Sequence, residues 1–286
     1  MYFLHNYFIW IRKVIIRILI KEYPNKLLKS KDILENKSDK YINFISSTDN
    51  FWISKSMFEK WNFYNEIDDI YLNIYSNSQV NSFMKKYFKN DLIYEIFKKS
   101  VLPVQKIDIF RICIIYKFGG IWLDIKSQIN IMKVLKLYKD SESNGILLSE
   151  PRKIEVITSN DNKHLKSFKN VIHNGFFFLP KESQFLKNIL SKIKKDYLYF
   201  QDIIFSHPKQ GIMNLTGPHQ FTRTYYDMER EKRPLLVSHN DIDWIYLQKF
   251  GEYISPLNIV KHYSSIKELK TIDSLKSSNL KENNLK

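Results

Sequence analysis

Three charged residues stand out because their neighbours are almost all apolar. In the stretch PVQKIDIFRICIIYKFGGIWLDIKSQIN, residues 103–130, Asp108 and Arg111 are three apart and Asp124 follows a short apolar run. A spacing of three puts Asp108 and Arg111 on one face of the first turn of a helix. A charged pair at the mouth of a buried helix is costly unless it is partnered or bound to a polar ligand. Two readings follow: an internal acid–guanidinium pair that satisfies itself, or a pair that meets a ligand. Asp124 adds a carboxylate of the kind that holds a divalent cation or a ribose hydroxyl. Each feature alone is common; in this order and spacing they are specific.

Positioning these groups requires particular elements. Residues 107–118 are apolar nearly all round, which predicts a buried helix. Gly119 and Gly120 then stop it and allow a tight helix-to-strand reversal that side chains would block. Ile121, Trp122 and Leu123 read as an interior strand, with Asp124 at its end. Upstream, residues 41–46 (YINFIS) and 70–75 (IYLNIY) are β-prone runs, each followed by a polar, turn-prone cluster. Residues 54–61 and 79–88 carry helical spacing, for example Val80, Phe83, Met84 and Tyr87. Strands alternating with helices predict an α/β sandwich with a largely parallel sheet. In such sheets ligands bind beyond the carboxyl ends of strands, which is where Asp124 falls.

Composition bounds the rest. The chain has 286 residues, 44% hydrophobic and 15% aromatic, ample for a core and too apolar for a disordered chain. Lys plus Arg number 45 against 30 acidic residues, a net +15 that favours anionic partners. The basic residues are scattered, and no zinc, RNP-like or helix-turn-helix signature accompanies them, so no nucleic-acid partner is expected. Cys113 is the single cysteine, which excludes an intrachain disulfide and a cysteine-based zinc site. The first 21 residues hold no acidic side chain, and Arg12, Lys13, Arg17 and Lys21 recur among aromatic and aliphatic residues. Their longest uncharged run is well short of the roughly 20 residues a spanning helix needs. Residues 1–23 therefore read as a basic amphipathic helix lying on an anionic membrane surface, or alternatively packed on the domain. Residues 24–40 read as a connector, 41–265 as the folded body and 266–286 as a polar tail.

The central block, IDIFRICIIYKFGGIWLDIK at residues 107–126, resembles the glycosyltransferases of the sugar-binding DXD-motif family, whose shared block reads approximately aDxxRxxxLyxyGGxYLDxD. That family includes initiating α-mannosyltransferases of the yeast type and bacterial capsule and lipopolysaccharide enzymes. More distantly, the block is similar to the glucosylating domain of large clostridial toxins. Trp61, FMKKYF at 83–88, HNGFFFLPKESQFLKNIL at 173–190, MNLTGPHQFTR at 213–223 and VKHYSS at 260–265 occupy places where members carry comparable residues. The resemblance implies a GT-A type, Rossmann-like nucleotide-sugar-binding α/β domain with helical additions. It implies transfer of a hexosyl unit from a nucleoside diphosphate sugar to a glycan or lipid-linked acceptor, with retention of configuration. The setting it implies is polysaccharide, capsule or lipopolysaccharide synthesis, cytoplasmic and peripheral on the inner face of the cell membrane. Asp108 and Arg111 would bind the donor, with Gly119, Gly120 and Trp122 of the same block grouped at that site. Asn174, Thr216, Gly217 and Pro218 would line the sugar and acceptor side. Asp124 and Lys126 would serve catalysis, and Asp124 and His262 a divalent cation, Mn²⁺ or Mg²⁺.

The sequence departs from the family's pattern in two places. Lys126 stands where the motif has its second carboxylate, and an ammonium beside a hard cation is unfavourable. Lys126 could screen the diphosphate as a point charge, Asp124 and His262 could retain a weak cation site, or Lys126 could point away. A non-catalytic nucleotide-sugar-binding relative is the alternative reading. The family's His-Gln-x-Trp is also absent from YINFISS at 41–47, where Phe44 or Phe51 would have to stand in against the base. Asp241-Ile242-Asp243 spells a further DXD, but in a polar turn where the family's motif does not occur.

Overall fold

The computed structural model describes residues 42–48, 64, 70–125, 127–141, 144–157, 165–246 and 269–273. It contains a sheet of six strands in the order β2-β1-β3-β6-β5-β8: β1 (Ile42–Thr48), β2 (Ile70–Ser76), β3 (Gly120–Leu123), β5 (Ile146–Ile157), β6 (Leu165–Leu179) and β8 (Leu235–Val237). Helices α1 (Asn77–Phe88), α2 (Leu92–Lys99), α3 (Pro103–Phe118), α5 (Gln184–Phe200), α6 (Pro208–Leu215) and α7 (Pro218–Asp227) accompany it, with α4 (Ile131–Asp140) after the two-residue strand β4 (Ser127–Gln128). The short strands β7 (Ile204–Phe205) and β10 (Leu269–Lys270) pair with each other, as do β4 and β9 (Ile245–Tyr246).

The α/β class and the largely parallel sheet agree with the sequence reading: five of the six strands run in one direction and β6 alone is reversed. β1 pairs parallel with β2 and β3, and β5 parallel with β8, but β6 runs antiparallel to both β3 and β5. The sheet is mixed because β6, reversed, lies between β3 and β5 and forms one long antiparallel pair with β5. Only seven residues, 158–164, join β5 to β6, too few for the crossover a parallel pair would need.

Side-chain alternation divides the core into two layers. Trp122, Leu147, Ile172, Phe177 and Leu179 face one side, where they pack with residues of α1, α2, α3, α5 and α7. Ile121, Leu123, Ile146, Leu148, Phe176 and Phe178 face the other, with Val134 of α4 and Ile242. Helix α3 is the centre of the first layer: Ile109, Phe110, Ile112, Cys113, Ile114 and Ile115 are all fully buried. It begins at Pro103, one turn before the expected start, because proline at the first helical position is pre-set for helix and lacks only an N–H that would go unused. The chain leaves α3 through Gly119, whose φ of 69° is left-handed and whose position would bring a Cβ to 2.7 Å from the Lys181 backbone nitrogen. Only glycine fits there. Helix α1 runs 77–88 where 79–88 was expected, capped by Ser76 and Gln79 in a reciprocal capping box.

Candidate active site

Strand alternation makes the site. Trp122 and Asp124 are two residues apart at the end of β3, so both project toward the layer that contains α3. Trp122 Nε1 donates to Asp124 Oδ1 at 2.9 Å. Across from them, Arg111 lays its guanidinium 5.0 Å from the centre of the Trp122 ring and 3.2 Å from Asp124 Oδ1. The same guanidinium is 3.2 Å from Asp108 Oδ1, one helical turn back. Arg111 thus bridges the two carboxylates, one buried and one open: the Asp108 side chain is 5% exposed, that of Asp124 40%.

The other partners come from a distortion of β6. Leu147 pairs with Phe177 and Ser149 with Ile172, so β6 has four residues, His173 to Phe176, where β5 has one. A bulge of this kind re-aims side chains and frees backbone groups. The Asn174 amide donates to Asp108 Oδ1 at 2.9 Å, and the Asn174 carbonyl accepts from Arg111. The Gly175 carbonyl accepts from the Asp124 backbone N–H at 2.8 Å. A Cβ on Gly175 would lie 3.0 Å from Asp124 Oδ2 and 3.8 Å from Trp244. Thr216, at the end of α6, donates to Asp108 Oδ2 at 3.3 Å. Gly217 and Pro218 open α7, which pins the bulge from behind: Thr222 Oγ1 accepts the Ile172 N–H at 2.9 Å.

Electrostatically the site is an acid–guanidinium–acid chain at low dielectric. Burial pushes the Asp108 carboxyl up to about 7, against the Arg111 charge that opposes the shift; the Asp124 charge adds to it, and hydrogen bonds from Thr216 and Asn174 work against it.

The structure therefore brings together Asp108, Arg111, Trp122, Asp124, Asn174 and Thr216, with Gly217 and Pro218 adjacent. Trp122 is fully buried beneath Arg111 and orients Asp124; it does not open to the crevice. Gly119 and Gly120 are not brought to the crevice: they lie at the opposite end of β3 from Asp124, where they shape the turn. Lys126 and His262 lie outside the described residues, as do residues 1–41, Phe51 and Trp61. The second DXD is occupied locally. Asp241 accepts from the Ser238 N–H and hydroxyl, and Asp243 from Lys133 and Asn130.

Sequence reasoning missed a second wall. His173 in the bulge meets Glu150 at 3.0 Å, its ring is 5.7 Å from that of His239, and His239 is 5.9 Å from Trp244, beside Gly175. The hydrogen bond from His173 holds the Glu150 carboxyl below its ordinary range. Burial, chiefly, and the His173 charge hold His239 below the usual histidine value. These residues are separated by up to 94 positions in the chain; the only local signal is the His-Asn-Gly sequence itself.

Among the described residues, no group of three His, Cys, Asp or Glu side chains could hold a metal ion. Of the four carboxylate oxygens of Asp108 and Asp124, Asp124 Oδ2 is the one that no described side chain engages by hydrogen bond or ion pair. One carboxylate oxygen does not make a protein-built metal centre; a cation here would be held chiefly by phosphate oxygens of a ligand.

Residues 13–130 match the family described as "Glycosyltransferase sugar-binding region containing DXD motif". The match spans less than half of the chain and includes Asp108, Arg111 and Asp124. A search of the curated proteins finds no match. Among solved structures, the chain is similar to the PaToxG glycosyltransferase, at 14% identity and a TM-score of 0.42 over 65% of this chain and 68% of that one. It is also similar to the UDP-bound glycosyltransferase domain from the YGT toxin, at 11% identity and a TM-score of 0.33 over 58% of this chain; it spans about half, 52%, of that domain.

Proposed function

We propose that the chain, a transferase whose residues 13–130 carry the glycosyltransferase sugar-binding region, moves a hexosyl unit from a nucleoside diphosphate sugar to a glycan or lipid-linked acceptor with retention of configuration. The proposed setting is synthesis of cell-surface polysaccharide or lipopolysaccharide, on the inner face of the cell membrane. The observation that supports this most is the convergence of Asp108, Arg111 and Asp124 at the carboxyl end of β3, beside parallel strand β1. In open α/β sheets that end is where ligands bind.

In this reading Asp108 and Asn174 present oxygen and N–H groups to the donor sugar, and Arg111 fixes both carboxylates while neutralising one. Asp124, the more exposed acid, meets the ribose and diphosphate side. The bond from the anomeric carbon to the diphosphate oxygen breaks, its electron pair leaves with the diphosphate, and the acceptor hydroxyl oxygen bonds to the carbon as its proton passes to the departing diphosphate. A divalent cation, Mn²⁺ or Mg²⁺, would supply charge neutralisation of that leaving group. The net charge of +15 favours the same anion.

The test is mass spectrometry of the purified chain with a panel of UDP- and GDP-sugars, with and without Mn²⁺. Release of nucleoside diphosphate from at least one donor is expected, falling about 10²-fold or more in Asp124→Asn, the scale on which removing one electrostatic contact acts. Donor binding without release from any sugar would instead support the non-catalytic relative, which the Lys126 departure favours. An unchanged rate in Asp124→Asn would remove the assigned site.

A further inference from the structure

Among the described residues seven large apolar side chains are exposed, and five of them belong to adjoining segments: Val101, Leu198, Tyr199, Ile203 and Ile204, from 39% exposed for Val101 to 64% for Ile204. Apolar residues exposed singly need no explanation, whereas a contiguous patch does. Contiguity here is set by the backbone. Leu198 and Tyr199 end α5, Ile203 and Ile204 follow within one turn, and β7 pairs with β10. Thr271, next to β10, accepts the Val101 N–H at 3.0 Å, and Ile272 accepts that of Asp202 at 3.0 Å.

The patch has a definite place relative to the crevice. The Glu182 N–H, just ahead of α5, donates to the Tyr116 carbonyl near the end of α3. From there α5 extends roughly 25 Å at 1.5 Å per residue. It ends beside residues 269–273 and the start of α3, with Tyr197 donating to the Asp273 carbonyl and the Asp273 N–H to the Lys99 carbonyl. That is the end of α3 that carries Asp108. Residue Val101 immediately precedes the helix, and β7 leads through α6 to Thr216.

Its rim is basic. Lys99, Lys195, Lys209 and Lys270 belong to the same elements, against Asp202, which is 3.0 Å from Lys270, and Asp273. The sequence beyond Asp273 continues the bias, with Lys276, Lys281 and Lys286 against Glu282. An aliphatic and aromatic surface ringed by ammonium groups is complementary to acyl chains beneath anionic headgroups. We infer that this patch docks the chain on an anionic membrane and turns the crevice mouth toward the bilayer. This contact is separate from residues 1–21. Its bearing on the acceptor, which would then be membrane-borne, rests on the glycosyltransferase reading; the docking itself does not.

The experiment places an environment-sensitive nitrobenzoxadiazole label on the full chain through Ile204→Cys, the one native thiol, Cys113, being fully buried. A second preparation carries the label through Met132→Cys on α4, exposed but in the other layer. Vesicles of phosphatidylcholine with phosphatidylglycerol should shift the emission of the first label to the blue, in a manner weakened by salt. Vesicles of phosphatidylcholine alone should not, and the second label should stay unmoved. Combining Leu198→Ser with Tyr199→Ser should lower the apparent vesicle affinity several-fold. A first label indifferent to both vesicles overturns the inference, as does a shift of both labels. Emission already blue without vesicles also overturns it, pointing to a second copy when it grows with concentration and to the chain's own segments when it does not. Donor hydrolysis on the same preparations is read separately: its absence would count against the proposed reaction and leave the vesicle result standing.

Discussion

Asp108 is the residue at which burial and charge pull hardest in opposite directions. Its carboxyl keeps a proton up to about 7 in the folded chain, against about 4 in an unfolded one. Between those values the folded state binds more protons, so the stabilising contribution is fully present below about 4 and is lost as pH rises through about 7. Thermal denaturation from pH 5 to pH 8 should therefore show a steeper fall in Tm for the native chain than for Asp108→Asn, whose amide does not titrate. Each kcal/mol of difference would appear as about 2–4 °C in a domain of this size. Parallel curves would show that burial at Asp108 is relieved by some other group. At this scale the sequence was a good guide wherever one element sufficed. The three-residue step from Asp108 to Arg111 and the two-residue step from Trp122 to Asp124 follow from helical and strand periods. Asn174 was named only through the resemblance, His173 only as the first residue of the run that carries it, and neither Glu150 nor His239 was given a role, because their meeting depends on how β6 is bent.

The elements explain why those side chains hold still. Helix α3 presents Asp108 and Arg111 at one end and reverses at Gly119 at the other, so the turn fixes the depth at which the helix lies on β3. Gly119→Ala forces a Cβ into the left-handed region and within 2.7 Å of the Lys181 backbone nitrogen. A cost of about 1–3 kcal/mol is expected from the strain alone, seen as a lower midpoint in urea. Donor hydrolysis per folded molecule should stay unchanged, since the turn is remote from Asp124; loss of activity at full stability would contradict that placement. The sequence located α3 and β3 to within a few residues because their apolar runs are dense and glycine punctuates them. It read the sheet as largely parallel, as five of the six strands are, but gave no sign of the reversed β6, because strand residues carry no signal of direction. The strand connection, and not the strand residues, decides it.

At the scale of the whole molecule, charge and surface dominate. A net +15 on 286 residues raises association with any anionic surface and makes it sensitive to salt. Among the described residues no helix is long and apolar enough to cross a membrane. Residues 1–21, which lie outside the described residues, carry the basic amphipathic pattern; their deletion should shift the chain from the membrane pellet toward the supernatant while sparing donor hydrolysis. An unchanged partition would remove the anchor assigned to them and leave the Ile204 surface to be judged by its own label.

The outward loop of β6 also resets the parity of the strand. Ile172 and Phe177 face the same layer although five positions separate them, an odd interval that an unbroken strand would send to opposite sides. Excising a single residue between them would exchange the berths of Phe176, Phe177, Phe178 and Leu179, turning each toward the wrong half of the interior. The amide, carbonyls and imidazole offered by this loop are thus welded to the phasing of the strand that follows. Its chemistry can be altered by substitution, but its length is locked by the hydrophobic interior downstream.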